Sequence, residues 1–281
     1  PQEFIRGLQP STDVGETPVF FTYPMKQNAV IQFWAGAPSI QDYISESYIT
    51  EGTIRTLVDS GANFGMTLNN YRMEPGCKVF NLTDGSNGIL ESLGMTTIKA
   101  SGTADATTTT TKLVDSAVNF LALDVWEGDI ICVPATGKTV VYAFITEVAQ
   151  NQLTYESVKG IRSSIRSGDT YKVGTGKELR LSGAPPYPGL RGGKTNMFNV
   201  ATPTGTYAGT TFANTKVTGT KTGTATAGQV AIASGGSHGL ITLVGSGYLD
   251  VDMWVGGLPT NGQTVSVKTC DKYQIESKNI T

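Results

Sequence analysis

Apolar residues in this chain come in short runs that alternate with polar ones. Gly, Pro, Asn and Asp punctuate the runs about every 8 to 12 positions. In TIRTLVD, Ile54, Thr56 and Val58 alternate with Arg55 and Leu57. GDIICVPATGKTVVYAFITEV (Gly128 to Val148) predicts two strands around Ala135-Thr136-Gly137-Lys138. In the second of these, Thr139, Val141, Ala143 and Ile145 alternate with Val140, Tyr142, Phe144 and Thr146. Both faces are largely apolar, so this strand is expected to be central or covered by a partner. Further strands are predicted at VFFTYP (Val19 to Pro24), AVIQFW (Ala29 to Trp34), CKVFNL (Cys77 to Leu82), MTTIKA (Met95 to Ala100), QNQLTYE, SGDTYKV and ELRLS (Glu178 to Ser182). Five more follow at QVAIAS, GLITLVG, LDVDMWVG, QTVSVKTC and KYQIES. Asp84-Gly85, Asn87-Gly88 and Asn261-Gly262 are hairpin-turn signals. No long stretch carries a 3.6-residue apolar period. The pattern predicts an all-β chain of tandem small antiparallel barrel or sandwich units.

One stretch occurs twice. Leu57 to Phe64 reads LVDSGANF and Leu113 to Phe120 reads LVDSAVNF. In each, Leu and Val end a strand, Asp and Ser turn the chain by bonding back to nearby backbone N–H groups, and Phe returns to the core. A Gly-marked turn and a second strand follow: Glu74-Pro75-Gly76 before CKVFNL, and Glu127-Gly128-Asp129 before IICVP. So dense a match predicts a duplicated unit, with extra residues in the first copy's loop.

The expected division is an N-terminal arm or strand pair at 1–50, a first β unit at 51–103 and its duplicate at 104–182. A Pro/Gly then Gly/Thr-rich connection follows at 183–228, and a C-terminal β unit at 229–281. MTTIKA is expected to close the first unit, and the Thr-rich Gly102 to Lys112 to join it to the second. The tract from Ala201 to Gly228 reads as extended strands or loops on the surface of an assembly. LDVDMWVGG (Leu249 to Gly257) faintly resembles LALDVWEGD (Leu121 to Asp129), which raises a degenerate third copy.

Composition sharpens the β reading. Gly numbers 34, charged residues are only 16 %, and Thr far outnumbers Lys plus Arg at 21. With a net charge of −2 and no Lys/Arg cluster, neither nucleic acid nor an anionic membrane is an expected partner. No apolar run approaches the roughly 18 residues of a membrane helix. PQEFIRGLQP lacks the basic and apolar regions of a secretory leader. Cys77, Cys132 and Cys270 are odd in number and widely spaced, and read as buried free thiols.

Chemistry is sparse. His238, the single histidine, lies in the Gly/Ser-rich SGGSHGL and reads as a turn residue. One His leaves no multi-His metal centre and few triads. HExxH, G-x-S-x-G, P-loop and CxxC spacings are read as absent, and Gly174 to Leu179 (GTGKEL) lacks phosphate-cradle spacing. Candidate acid pairs are Asp124 with Glu127 and Asp129, and Asp250 with Asp252, the latter expected on a solvated strand face. Asp84 to Gly88 lacks the acids of a calcium loop. Trp34, Trp126, Trp254, Tyr187 and Tyr207 are candidates for a sugar shelf, but core packing explains Trp126 and Trp254 better. No catalytic, cofactor-binding or metal-binding residue is assigned, and no cofactor is expected.

The run LVDSAVNF, VWEGDIICVPATGKTVVYAFITEV, then SGDTYKV resembles a module that recurs in tailed-bacteriophage structural proteins. Thr111 to Val173 matches it best; the first unit departs where Glu74-Pro75-Gly76-Cys77 replaces Gly-Asp. The resemblance implies a non-enzymatic β structure on a virion, with no active site to carry over. The expected function is a capsid decoration (cement) protein on the outer capsid surface, made in the host cytoplasm. It would bind the major capsid protein as a homo-oligomer, a trimer being one arrangement. The alternatives are a tail or collar adaptor or fibre component, and a carbohydrate-binding or carbohydrate-active β protein.

Overall fold

Nineteen short strands and no helix make up the described part of the chain. The computed structural model describes residues 43–276 except 54, 67–71, 136–137, 161 and 183–196. The strand candidates Val19 to Pro24 and Ala29 to Trp34, and the residues Trp34 and Tyr187, lie outside the described residues.

The strands fall into three sheets. The first contains β1 (Tyr43–Tyr48), β2 (Glu51–Gly52), β3 (Thr56–Val58), β4 (Lys78–Asn81), β5 (Asn87–Met95), β12 (Gly176–Ser182) and β19 (Lys272–Glu276), in the order β1-β19-β4-β5-β12-β3-β2. Only Ile49 and Thr50 separate β1 from β2, so the two ends of this order meet and the sheet rolls up. The second contains β6 (Ala100–Thr103), β7 (Lys112–Val114), β8 (Ile130–Ala135), β9 (Lys138–Ala149), β10 (Gln152–Gly160) and β11 (Thr170–Gly174), in the order β6-β11-β8-β9-β10-β7. The third is a closed barrel of β13 (Gly205–Ala213), β14 (Lys216–Gly223), β15 (Val230–Ala233), β16 (His238–Gly245), β17 (Tyr248–Val251) and β18 (Val265–Lys268).

All three share one topology. Counting β1 and β2 as one bent strand, each sheet runs first-sixth-third-fourth-fifth-second. The first and second also share their register. Tyr273 faces Ser47 and Asn81; Tyr171 faces Gly102, and its strand pairs Val173 with Ile131 as β19 pairs Ile275 with Val79. The closing bonds recur too. Thr50 N donates to Val58 O and Asp105 N to Val114 O, both at 2.8 Å. The third barrel is thus a copy by topology. The likeness of LDVDMWVGG to LALDVWEGD is not what relates it, because the first begins within the fifth strand of its barrel and the second lies before the third.

The chain path nests these units. The second barrel is inserted between β5 and β12 of the first, and the third barrel between β12 and β19. Strand pairing therefore sets boundaries other than the linear ones at 103, 182 and 228. ELRLS pairs with β3 and β5 of the first barrel, and KYQIES is that barrel's closing strand. MTTIKA is no closing strand but the link from β5 to β6. The Gly/Thr tract supplies β13 and β14, because its apolar residues fall at barrel-facing positions: Tyr207, Phe212 and Val217 are buried. Thr260-Asn261-Gly262 is a turn but joins strands that do not pair. The turn at Asp84-Gly85 does form a hairpin, between β4 and β5.

The two-faced apolarity of β9 has a direct cause. Val141, Ala143 and Ile145 point into the second barrel's core. Tyr142 and Phe144, with Ile130 and Cys132, join the core of the first barrel. Unit one is the partner that covers the strand. Arg72 sits 4.8 Å over the Phe144 ring, and Tyr142 Oη donates to Met73 O at 3.3 Å.

Candidate functional site

The duplicated octapeptide builds the same polar turn twice. Asp59 Oδ1 accepts Gly61 N at 2.9 Å and Ala62 N at 3.0 Å. Asp115 Oδ1 accepts Ala117 N at 3.0 Å. The other carboxylate oxygen is met by a buried phenol in both cases. Tyr273 Oη donates to Asp59 Oδ2 and Tyr171 Oη to Asp115 Oδ2, each at 2.8 Å. Phe64 and Phe120 end the turns and pack on those rings, with centroids 6.2 and 6.1 Å apart. Burial raises the Tyr171 phenol well above its ordinary range, and its bond to Asp115 adds to the shift. The Asp-x-Tyr-x-Val/Ile pattern at Asp169 to Val173 and Asp271 to Ile275 marks these closing strands. That pattern was the sequence signal that would have placed KYQIES in the first unit.

The two turns differ in what lies on them. On the first sits the third barrel. Ser60 Oγ donates to Gly236 O at 2.7 Å. His238 is fully buried at the start of β16 rather than in a solvated turn, and its Nε2 is hydrogen-bonded to Ser47 Oγ at 3.0 Å. Its Nδ1 lies 3.5 Å from Asp59 Oδ1. A Cβ at Gly61 would come within 2.5 Å of Val255 O and 2.8 Å of His238 Nδ1. Here is the reason that Gly stands where the second copy has Ala117. On the second turn Ser116 and Ala117 are exposed.

Ser47, Asp59 and His238 are by type a nucleophile, an acid and a base. Their exposures are 7 %, 0 % and 0 %. A substrate carbonyl cannot reach Ser47 Oγ unless the joint between the barrels opens. The expected absence of a G-x-S-x-G spacing is wrong: Gly235-Gly236-Ser237-His238-Gly239 has that form. It lies between paired strands β15 and β16, with no helix after it, and Ser237 Oγ donates to Gly256 O at 3.2 Å. The arrangement is a polar clasp that fixes the third barrel to the first.

The remaining candidates separate. Asp129 is 2 % exposed and binds both links between the first two barrels: Lys99 Nζ at 2.8 Å on Oδ2 and Thr175 Oγ1 at 2.8 Å on Oδ1. Its neighbours Asp124 and Glu127 face solvent. Asp250 is half-buried on β17; Asp252 is exposed and accepts Leu240 N at 3.0 Å, capping the sheet. Asp84 Oδ1 accepts Ser86 N at 2.9 Å, an Asx turn within the hairpin. Lys177 of GTGKEL donates to Ser60 O at 2.6 Å. Trp254 packs edge-on against Phe212, 5.6 Å between centroids. Trp126 departs from the core expectation: it is 63 % exposed. Tyr207 is core. Cys77 and Cys132 are buried and Cys270 is partly buried. Among the described residues no group of His, Cys, Asp and Glu could hold a metal ion.

No protein-family model matches the chain, and neither the curated proteins nor the solved structures give a match.

Proposed function

We propose that the chain is a virion structural protein, foremost a capsid decoration protein that binds the major capsid protein from outside and stabilises the head. The observation that carries this reading is the threefold use of one six-stranded barrel, with the polar groups that could do chemistry built into joints. Ser47 with His238 and Ser60 with Gly236 tie the third barrel to the first, and Asp129 holds both links between the first and second. Such a chain suits mechanical clamping: several barrels tied into one body spread a load across neighbouring subunits. The likeness of Thr111 to Val173 to the phage structural module supports the same setting. In this reading the protein works as a homo-oligomer, catalyses nothing and needs no cofactor.

Electron microscopy of particles with and without the protein tests this. Density over the whole head, in hundreds of copies, is the expected result. Density confined to the tail or collar overturns the decoration role in favour of an adaptor. Hydrolysis of a glycan by the purified protein overturns the structural class itself.

A further inference from the structure

Between β7 and β8 the second barrel presents three large apolar side chains to solvent within six residues. Leu121 is 58 % exposed, Leu123 44 % and Trp126 63 %. Met66, 50 % exposed, lies against Gly128 beside them. The loop is held stiffly. Phe120 and Val125 anchor it in the core, and Val125 N donates to Phe120 O at 3.2 Å. Trp126 N donates to Asp129 Oδ2 at 2.9 Å, and Trp126 Nε1 to Asp124 Oδ1 at 2.5 Å. Asp124 takes a left-handed backbone, φ 57°, to turn the tip. Large apolar groups fixed outward expose area that water disfavours, and a pre-organised loop loses little entropy when covered.

The third barrel has only Thr, Ala, Gly and Gln at the same place, Thr224 to Gln229. The patch is therefore no requirement of the barrel fold. The adjoining turn of the first copy is already a docking surface, occupied by the third barrel. The second copy cannot take that occupant in the same way, because Ala117 carries the Cβ that Gly61 lacks. Its rim selects another partner by charge: from Ser116 to Glu127 the loop holds Asp124 and Glu127, both exposed, and no Lys or Arg.

We infer that the Leu121–Trp126 loop is a protein-docking knob, with Trp126 entering an apolar socket rimmed by Lys or Arg on the partner. The inference rests on the reading above and names the contact it needs: the socket belongs to the major capsid protein. Leu121 and Leu123 within five residues of the indole favour a protein socket over a glycan, because exposed leucine side chains gain nothing from sugar hydroxyls.

The test uses the full chain and particles that lack it, with binding read by co-sedimentation. Wild type is expected to bind. Trp126→Ser and the double variant Leu121→Ser/Leu123→Ser are expected to bind about ten-fold more weakly or worse. The neutral pair Asp124→Asn/Glu127→Gln is expected to lose several-fold and to show a flatter salt dependence. These side chains are exposed, so unchanged thermal unfolding is the control that each variant folds. If wild type binds and the variants match it, the knob is overturned while the decoration role stands. If wild type binds no particle, the decoration role fails and this partner with it. If Trp126→Ser instead breaks an oligomer of the free protein, or a soluble oligosaccharide displaces the wild type, the occupant proposed here is wrong.

Discussion

Tyr273 donates its hydroxyl to Asp59 at 2.8 Å, across 214 residues of sequence, and so closes the first barrel with the last described strand. Tyr171 does the same for Asp115 across 56 residues. Both carboxylates are buried, so removing the phenol leaves an acceptor oxygen without that partner away from water. Tyr273→Phe and Tyr171→Phe keep the ring and remove the donor. Each is expected to lower stability by about 1–3 kcal/mol in urea unfolding. Because β19 lies beyond both insertions, Tyr273→Phe is also expected to loosen Lys272–Glu276 in hydrogen exchange, and Tyr171→Phe to leave it protected.

Gly61→Ala places a methyl against Val255 O and His238 Nδ1 at distances real side chains do not adopt. The expected outcome is a loss of about 1–3 kcal/mol and faster proteolysis at the joint of the first and third barrels. The reciprocal change, Ala117→Gly, meets no neighbour and is expected to cost at most about 1 kcal/mol. Equal effects from the two would refute a docking role for the first turn.

Asp129 holds both links between the first and second barrels through Lys99 and Thr175. Asp129→Ala strands a lysine amine at a part-buried joint and frees both links. A loss of about 2–3 kcal/mol is expected. Amide exchange should rise at Ile98 to Ala100 and Gly174 to Gly176 more than in β13 to β18.

Alkaline pH should unfold the protein from its cores. Burial pushes the Cys132 thiol up to about 12 and the Cys270 thiol likewise to about 12, and raises the Tyr142 phenol. A thiol near 9 when unfolded loses its proton there while the folded one keeps it. The stabilising difference is whole below pH 9 and is lost as pH rises from 9 toward 12, by at most about 1.4 kcal/mol per pH unit per group. Cys132→Ala is expected to show a shallower decline in that window by denaturant titration. At pH 8 a disulfide reagent should leave Cys132 unlabelled until the protein unfolds.

Much of the architecture was legible along the chain. Strands have a period of two, and turn residues end them, so β4, β8, β9 and β16 could be read locally. The repeat of Leu57 to Phe64 at Leu113 to Phe120 announced two like units, because an Asx turn, a strand end and a core Phe need the same residues wherever they occur. The two-sided apolarity of β9 announced a cover. What local pattern cannot carry is which strand pairs with which. ELRLS alternates equally well beside β10 or beside β5, and only the nested path puts it in the first barrel. His238 reads as a turn residue because its neighbours are Gly and Ser. Those small residues are there because two barrels meet closely over it.

By itself the sequence determined an all-β chain, a duplicated unit, the turn at each Asp-Ser and a set of thiols in apolar strands. Each follows from side-chain preferences over a few consecutive residues. Tertiary structure alone decided that there are three barrels of one topology, that two are insertions in the first, that Asp59 meets His238, and that Trp126 faces water. These depend on residues far apart in sequence coming into contact, and burial is a property of the packed whole rather than of any window along the chain.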